Sequence, residues 1–150
     1  MNDFLPENSF SPDFAGTPWE MWGPELALWK KFQTTYQHLW ISLWFNVRIG
    51  SGEEQPDHAT ETEIQYWRQI TQRRIDVLIE TDQDIIIVEL RCNADKGTFG
   101  AAMLYRALWD RENKTEKNLR TMIVTNRMRD DMQKLCRENK IEVIILEEEK

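Results

Sequence analysis

RRIDVLIETDQDIIIVELR, Arg73 to Arg91, reads as two apolar strands joined by a short acidic turn. Only Thr81-Asp82-Gln83-Asp84 separates them, which predicts an antiparallel hairpin. Each strand carries one carboxylate where water is scarce. Asp76 interrupts Ile75 and Val77 in the first, and Glu89 follows Ile85-Ile86-Ile87-Val88 in the second. A buried carboxylate is costly unless it is paired, hydrogen-bonded or bound to a metal. The hairpin therefore fixes the middle of the fold and also marks the residues that need a chemical explanation.

Working outward, NADKG is a turn, and a helix is expected from Thr98 to about Glu112, with Phe99, Met103, Leu104, Ala107 and Leu108 on its apolar side. RTMIVTN is a strand. RMRDDMQKLCRENK is a helix with Met128, Met132, Leu135 and Cys136 as its stripe, and IEVIIL is a last strand before the charged end EEEK. Before the hairpin, a short helix around Glu61 to Gln72 is expected to bury Ile64 and Trp67, behind the polar loop SGEEQPDHATETE. ISLWFNVRIG alternates, placing Ile41, Leu43, Phe45, Val47 and Ile49 on one face of a half-buried strand. A helix opening at Pro24, with Glu25 near its positive end, carries Leu26, Trp29, Tyr36 and Trp40 at near-helical spacing. Late strands alternating with helices favour parallel pairing, while the hairpin adds antiparallel pairing. The expected class is α/β, with a mixed central sheet flanked by helices.

Residues 1–23 differ from the rest. The stretch 1–24 holds four of the five prolines and shows neither helical nor alternating period. It reads as an extended arm preceding one domain over 24–150, and that body is expected to fold without it. Purely flexible tails are poor in aromatics, yet this arm carries Phe4, Phe10, Phe14, Trp19 and Trp22. These are anchors for a surface. That surface is either the arm's own domain or a partner, with Phe10, Phe14, Trp19 and Trp22 as the partner-binding candidates and Asp3, Glu7, Asp13 and Glu20 tuning partner choice.

Charge narrows the function. Residues 1–66 hold ten acids and three bases, and residues 67–150 hold sixteen of each, which accounts for the net charge of −7. A freely diffusing nucleic-acid binder usually shows a basic excess. No apolar run approaches the roughly 20 residues of a membrane helix, and the start MNDFLPENSF has no signal-peptide pattern. Cys92 and Cys136 form no disulfide framework and no metal spacing, so reduced thiols and a cytoplasmic setting are expected. His38 and His58 have no ligand spacing, and Arg127 and Arg129 at a helix start read as solvated charges.

On a strand, Glu89 and Arg91 are two apart and share a face, and Asp76 lies on the adjacent strand. Carboxylates converging there repel each other unless a cation holds them, and oxygen ligands suit Mg²⁺ or Mn²⁺. A neighbouring cationic side chain completes the parts of metal-assisted phosphodiester hydrolysis. With these residues placed, residues 24–146 resemble the PD-(D/E)xK, or restriction-endonuclease-like, nuclease superfamily. The resemblance rests on Arg74-Ile75-Asp76, Val88-Glu89-Leu90-Arg91 and Gly100-Ala101-Ala102-Met103-Leu104-Tyr105. It implies Asp76 and Glu89 as metal ligands, Arg91 in the place of the catalytic lysine, Ala101 in the place of a glutamine, and Tyr105 as the tyrosine of that helix. Glu25 or Glu63 matches the extra acid that some members carry.

Two departures bear on activity. Arginine is larger and planar and does not stand in for a compact ammonium, and alanine offers no hydrogen bond. The sequence also resembles short proteins of this superfamily encoded by tailed phages, some of them expected in the neck of the particle. Three readings follow: a nuclease fold without catalysis that serves as a homo-oligomeric assembly module, in the cytoplasm or in a virion; a Mg²⁺- or Mn²⁺-dependent deoxyribonuclease using Asp76, Glu89 and Arg91; or a regulatory binding protein. In the first reading the carboxylates are structural, pairing as Glu89 with Arg91 or Asp76 with Arg74.

Overall fold

The run Ile85–Val88, the least alternating part of the sequence, lies at the centre of the sheet. The structure, a computed structural model, describes residues 5–6, 8–50, 52, 57–113 and 116–148, with the backbone alone for 69–71. Its elements are α1 (Gly23–Tyr36), a 3₁₀ turn (Gln37–Leu39), β1 (Trp40–Ile49), α2 (Glu61–Thr71), β2 (Arg73–Thr81), β3 (Asp84–Ala94), α3 (Lys96–Glu112), β4 (Asn118–Met128), α4 (Asp130–Glu138) and β5 (Ile141–Ile145). The five strands form one sheet in the order β1-β2-β3-β4-β5. β1, β2 and β3 run antiparallel to one another, whereas β3–β4 and β4–β5 are parallel. The expected mixed α/β architecture is the one observed.

A central strand is covered on both faces, so its two sides must both be apolar. Ile86, Val88 and Leu90 pack with Leu28, Trp29 and Phe32 of α1, while Ile85 and Ile87 pack with Trp109 of α3 on the opposite face. A third cluster joins Ala102 of α3, Cys136 of α4, Ile123 and Ile141. α3 is set in place by a capping box: the Asp95 carboxylate accepts from the Gly97 and Thr98 N–H groups, and the Thr98 hydroxyl accepts from Asp95 N–H.

Several expectations for side chains change. The stripe assigned to the first helix ends early, because Trp40 opens β1 after the 3₁₀ turn, and Leu28, Phe32 and Gln33 join Trp29 as the buried face. In α3 the buried residues are Thr98, Ala102 and Trp109, and Met103 is exposed, so the inward face is rotated from the expected one. Ile64 and Trp67 of α2 are only half-buried. β1 does not keep one face inward. Ile41 falls at a register shift between Trp40 and Ser42 and is exposed, and Asn46 takes φ +52. Leu43 and Phe45 consequently pack with the α1 layer, but Val47 and Ile49 pack with the α3 layer. Residues 51 and 53–56 of the expected polar loop, and Asp3, Phe4 and Glu7 of the arm, lie outside the described residues.

The rest of the arm lies on its own domain. Phe10 and Leu43 exchange main-chain hydrogen bonds of 2.8 and 3.0 Å. Phe10 and Phe14 pack on Phe45 with ring centroids 5.3 and 5.9 Å away. Met21 enters the α1 core cluster. Of the two surfaces the sequence left open for the arm, its own domain takes the described residues: an edge strand and an apolar ring beside it leave main-chain and aromatic surface that the arm covers. Trp19 and Trp22 stay exposed, at 65% and 72%.

Candidate functional site

The hairpin opens where the carboxylates stand. β2 and β3 pair from Glu80 opposite Ile85 to Val77 opposite Val88, and the ladder stops there. Asp76 and Glu89 are the next positions along each strand. Beyond them β2 stays with β1 and β3 stays with β4. The parting is visible in the packing too, since Val77 belongs to the α1 layer and Ile75 to the α3 layer. Asp76 bridges the gap: its Oδ2 accepts the Leu90 N–H at 3.0 Å, a donor that the departing strand no longer reaches.

Arg91 stands among three acids. Its Nη1 lies 3.4 Å from Asp76 Oδ2 and 4.0 Å from Glu25 Oε1, and its Nη2 lies 3.9 Å from Glu89 Oε2. Nη1 also donates to the Leu90 carbonyl at 2.8 Å, which holds the guanidinium over the cleft. The sequence-predicted residues Asp76, Glu89, Arg91 and Glu25 therefore converge. Glu63 does not: it sits in the first turn of α2, its N–H donating to the hydroxyl of the capping Thr60 and its Oε1 accepting from that hydroxyl. Arg74 does not pair with Asp76 either. It meets Glu20 at 3.3 Å and lies over the Trp19 ring at 5.4 Å. Tyr105 is half-buried on α3, close enough for Glu89 and Asp76 to act on its hydroxyl; Ala101, on the same helix, brings no polar group.

Glu89 is the unusual member. It is 1% exposed, and neither carboxylate oxygen has a hydrogen-bond partner among the described residues. Burial, reinforced by the Asp76 charge, pushes its carboxyl up to about 8; Arg91 and the nearby Asp76 N–H offset only part of this. Burial also raises Asp76, against the Leu90 N–H and Arg91, which pull it down. For Arg91 burial works against the charge, but Asp76, Glu89 and Glu25 outweigh it and hold the guanidinium above its ordinary value. Burial, then Glu89 and Asp76, raise the Tyr105 phenol. Glu89 thus holds its proton more tightly than an ordinary carboxyl, beside the Asp76, Arg91 and Glu25 side chains.

Two carboxylates and an orphaned buried acid are a donor set that suits a hard divalent cation. With Arg91 as it stands they do not fit one. The guanidinium lies within 4.0 Å of all three acids and already supplies them with a counter-charge. Among the described residues no group of three or more His, Cys, Asp or Glu side chains forms a metal-ligand set.

The remaining histidine and arginine candidates are surface groups. His38 lies within the 3₁₀ turn and His58 sits in a turn at φ +65, both exposed. Arg127 pairs with Glu148 and Arg129 with Asp131, on the surface. Cys92 and Cys136 are free thiols, raised by burial first. Sequence reasoning missed Lys30, Gln33, Trp44 and Asn46, whose side chains donate to the arm's main-chain carbonyls. Main-chain acceptors leave no trace in residue type, so only the polar Gln33 within an otherwise apolar helix face hints at them.

No protein-family model matches the chain, and no curated protein matches it. Among solved structures it is similar to the crystal structure of a repair endonuclease from Pyrococcus abyssi, at 17% identity and a TM-score of 0.50. The likeness covers 85% of this chain and 49% of that one, so the chain spans about half the length of that structure. At this identity the likeness defines the fold, a nuclease-like, restriction-endonuclease-like α/β fold. Among the described residues, no helix is long and apolar enough to cross a membrane.

Proposed function

We propose that the chain is a nuclease-fold protein that does not hydrolyse DNA and serves as a binding and assembly module. The observation that supports this reading is the position of Arg91, the common counter-ion of Asp76, Glu89 and Glu25. Metal-assisted hydrolysis needs an ion to lower the pKa of its water and to polarise the phosphate. A guanidinium is a fixed cation with donors only; it neither accepts a proton nor binds hydroxide. Ala101 offers no hydrogen bond to a substrate. The setting we favour, the neck of a tailed-phage particle, rests on the resemblance of RID, ELR and the GAAMLY helix alone.

The test is incubation with supercoiled and linear DNA in Mg²⁺ and in Mn²⁺, beside Asp76→Ala. Wild type should cleave no faster than the variant. Robust nicking abolished by both Asp76→Ala and Glu89→Ala would overturn the reading. The second reading, a metal-dependent deoxyribonuclease, has one observation in its favour. Among the described residues both Glu89 oxygens lack a hydrogen-bond partner, and the Arg91 side chain is 44% exposed.

A further inference from the structure

The arm is held by main-chain hydrogen bonds as well as by the packing of Phe10, Phe14 and Met21. Trp44 Nε1 donates to the Pro6 carbonyl at 2.9 Å. Gln33 Nε2 donates to the carbonyls of Pro12 and Phe14 at 2.9 and 2.8 Å. Lys30 Nζ donates to those of Ala15 and Gly16 at 3.0 and 2.8 Å, and Asn46 Nδ2 to that of Trp19 at 2.7 Å. In each case a side chain of α1 or β1 is the donor and an arm main-chain oxygen the acceptor. The Phe10–Leu43 bridge adds a single rung of β pairing on the edge strand. A dock built this way recognises an extended, proline-rich segment wherever that segment comes from.

The link between dock and body is very short. Met21 is already buried in the core, and α1 begins at Gly23. The chain reverses at Trp22 and Gly23, the latter at φ +58, with nothing within 4 Å of where a Cβ would stand. A short hinge favours exchange of the segment between copies, because opening it keeps every docking contact. Trp22, 72% exposed at the hinge, and Trp19, 65% exposed beside it, are large apolar surfaces that one copy leaves uncovered.

We propose that the α1–β1 face docks the arm of a second copy, so that the chain assembles by reciprocal exchange of residues 5–21, with Trp19 and Trp22 covered where the two chains cross. The proposal names the partner in the assembly reading and rests on it; the crosslink below reads arm exchange alone, whereas DNA cleavage reads catalysis alone. In the full-length chain, Phe10→Cys with Leu43→Cys, in a Cys92→Ser background, is oxidised over a wide range of protein concentration and run without reductant. Exchange gives a covalent dimer that dominates at high concentration. Crosslinked monomer alone at every concentration overturns the proposal. Sedimentation velocity of the wild type checks against distortion by the cysteines: a dimer is expected, converted to monomer by a flexible insertion between Trp22 and Gly23 that leaves the thermal melt unchanged. A wild type that stays monomeric at high concentration also overturns it.

Discussion

Glu89→Gln should make the protein more stable at neutral pH. Glu89 is buried with no hydrogen-bond partner among the described residues, and its carboxyl is raised from an ordinary 4.5 to about 8, by burial first and the Asp76 charge second. Below pH 4.5 the group is protonated in the folded and unfolded chains alike. Between 4.5 and about 8 the unfolded chain ionises while the folded chain holds its proton, so stability falls as pH rises and the loss is complete above about 8. At about 1.4 kcal/mol per pH unit the loss reaches about 3 kcal/mol near pH 7. Glutamine resembles the protonated acid in size and in its unmet hydrogen bonds, but it never ionises in the unfolded chain. The variant should therefore gain about 2–3 kcal/mol near pH 7, or about 4–10 °C in Tm for a domain of this size. The gain should shrink toward nothing on the acid side. Thermal melts across the pH range in chelator measure it. A variant destabilised by about 3–5 kcal/mol at neutral pH, as expected for breaking a buried ion pair, would show instead that Glu89 is ionised and held by Arg91.

Gln33→Ala should loosen the arm, leaving the Pro12 and Phe14 carbonyls without their donor; a loss of about 1–2 kcal/mol and faster proteolysis near Phe14 would register it, and unchanged proteolysis would refute the docking role. Asp95→Ala removes the α3 cap. Hydrogen bonding, first from the Thr98 N–H, holds the Asp95 carboxyl below its ordinary 3.8, so the cap's contribution is present above that pH and lost as pH falls through the depressed value. The Tm difference from wild type should be seen at neutral pH and close in acid.

The hairpin was legible because its signals are local: apolar strands, a polar turn, and two carboxylates at positions that pair across it. The order of helices and strands followed from the same kind of signal, and it brought Asp76, Glu89 and Arg91 together as expected. What escaped the sequence is long-range. The exchange of layers at Asn46 and Asp76 depends on how β1 and β2 twist away from β3, which alternation along one strand does not encode. The inward face of α3 follows from where the sheet lies, so Ala102 and Trp109 displaced Met103 and Ala107. Glu25 and Glu63 were equal candidates by residue type; only the packing of α1 against the sheet placed Glu25 at the cleft, while local capping engaged Glu63. The arm's dock was invisible because its acceptors are carbonyl oxygens that every residue carries.

Metal binding to wild type and to Arg91→Ala decides whether the guanidinium occupies the cation position. Melting curves with increasing Mn²⁺ or Mg²⁺ report it directly, since a cation that binds only the folded chain adds about 2.7 kcal/mol at a hundred times its Kd. The account predicts no saturable rise in Tm for wild type, and a rise for Arg91→Ala that disappears again in Arg91→Ala with Asp76→Ala. A saturable rise in wild type, lost in Asp76→Ala, would contradict it.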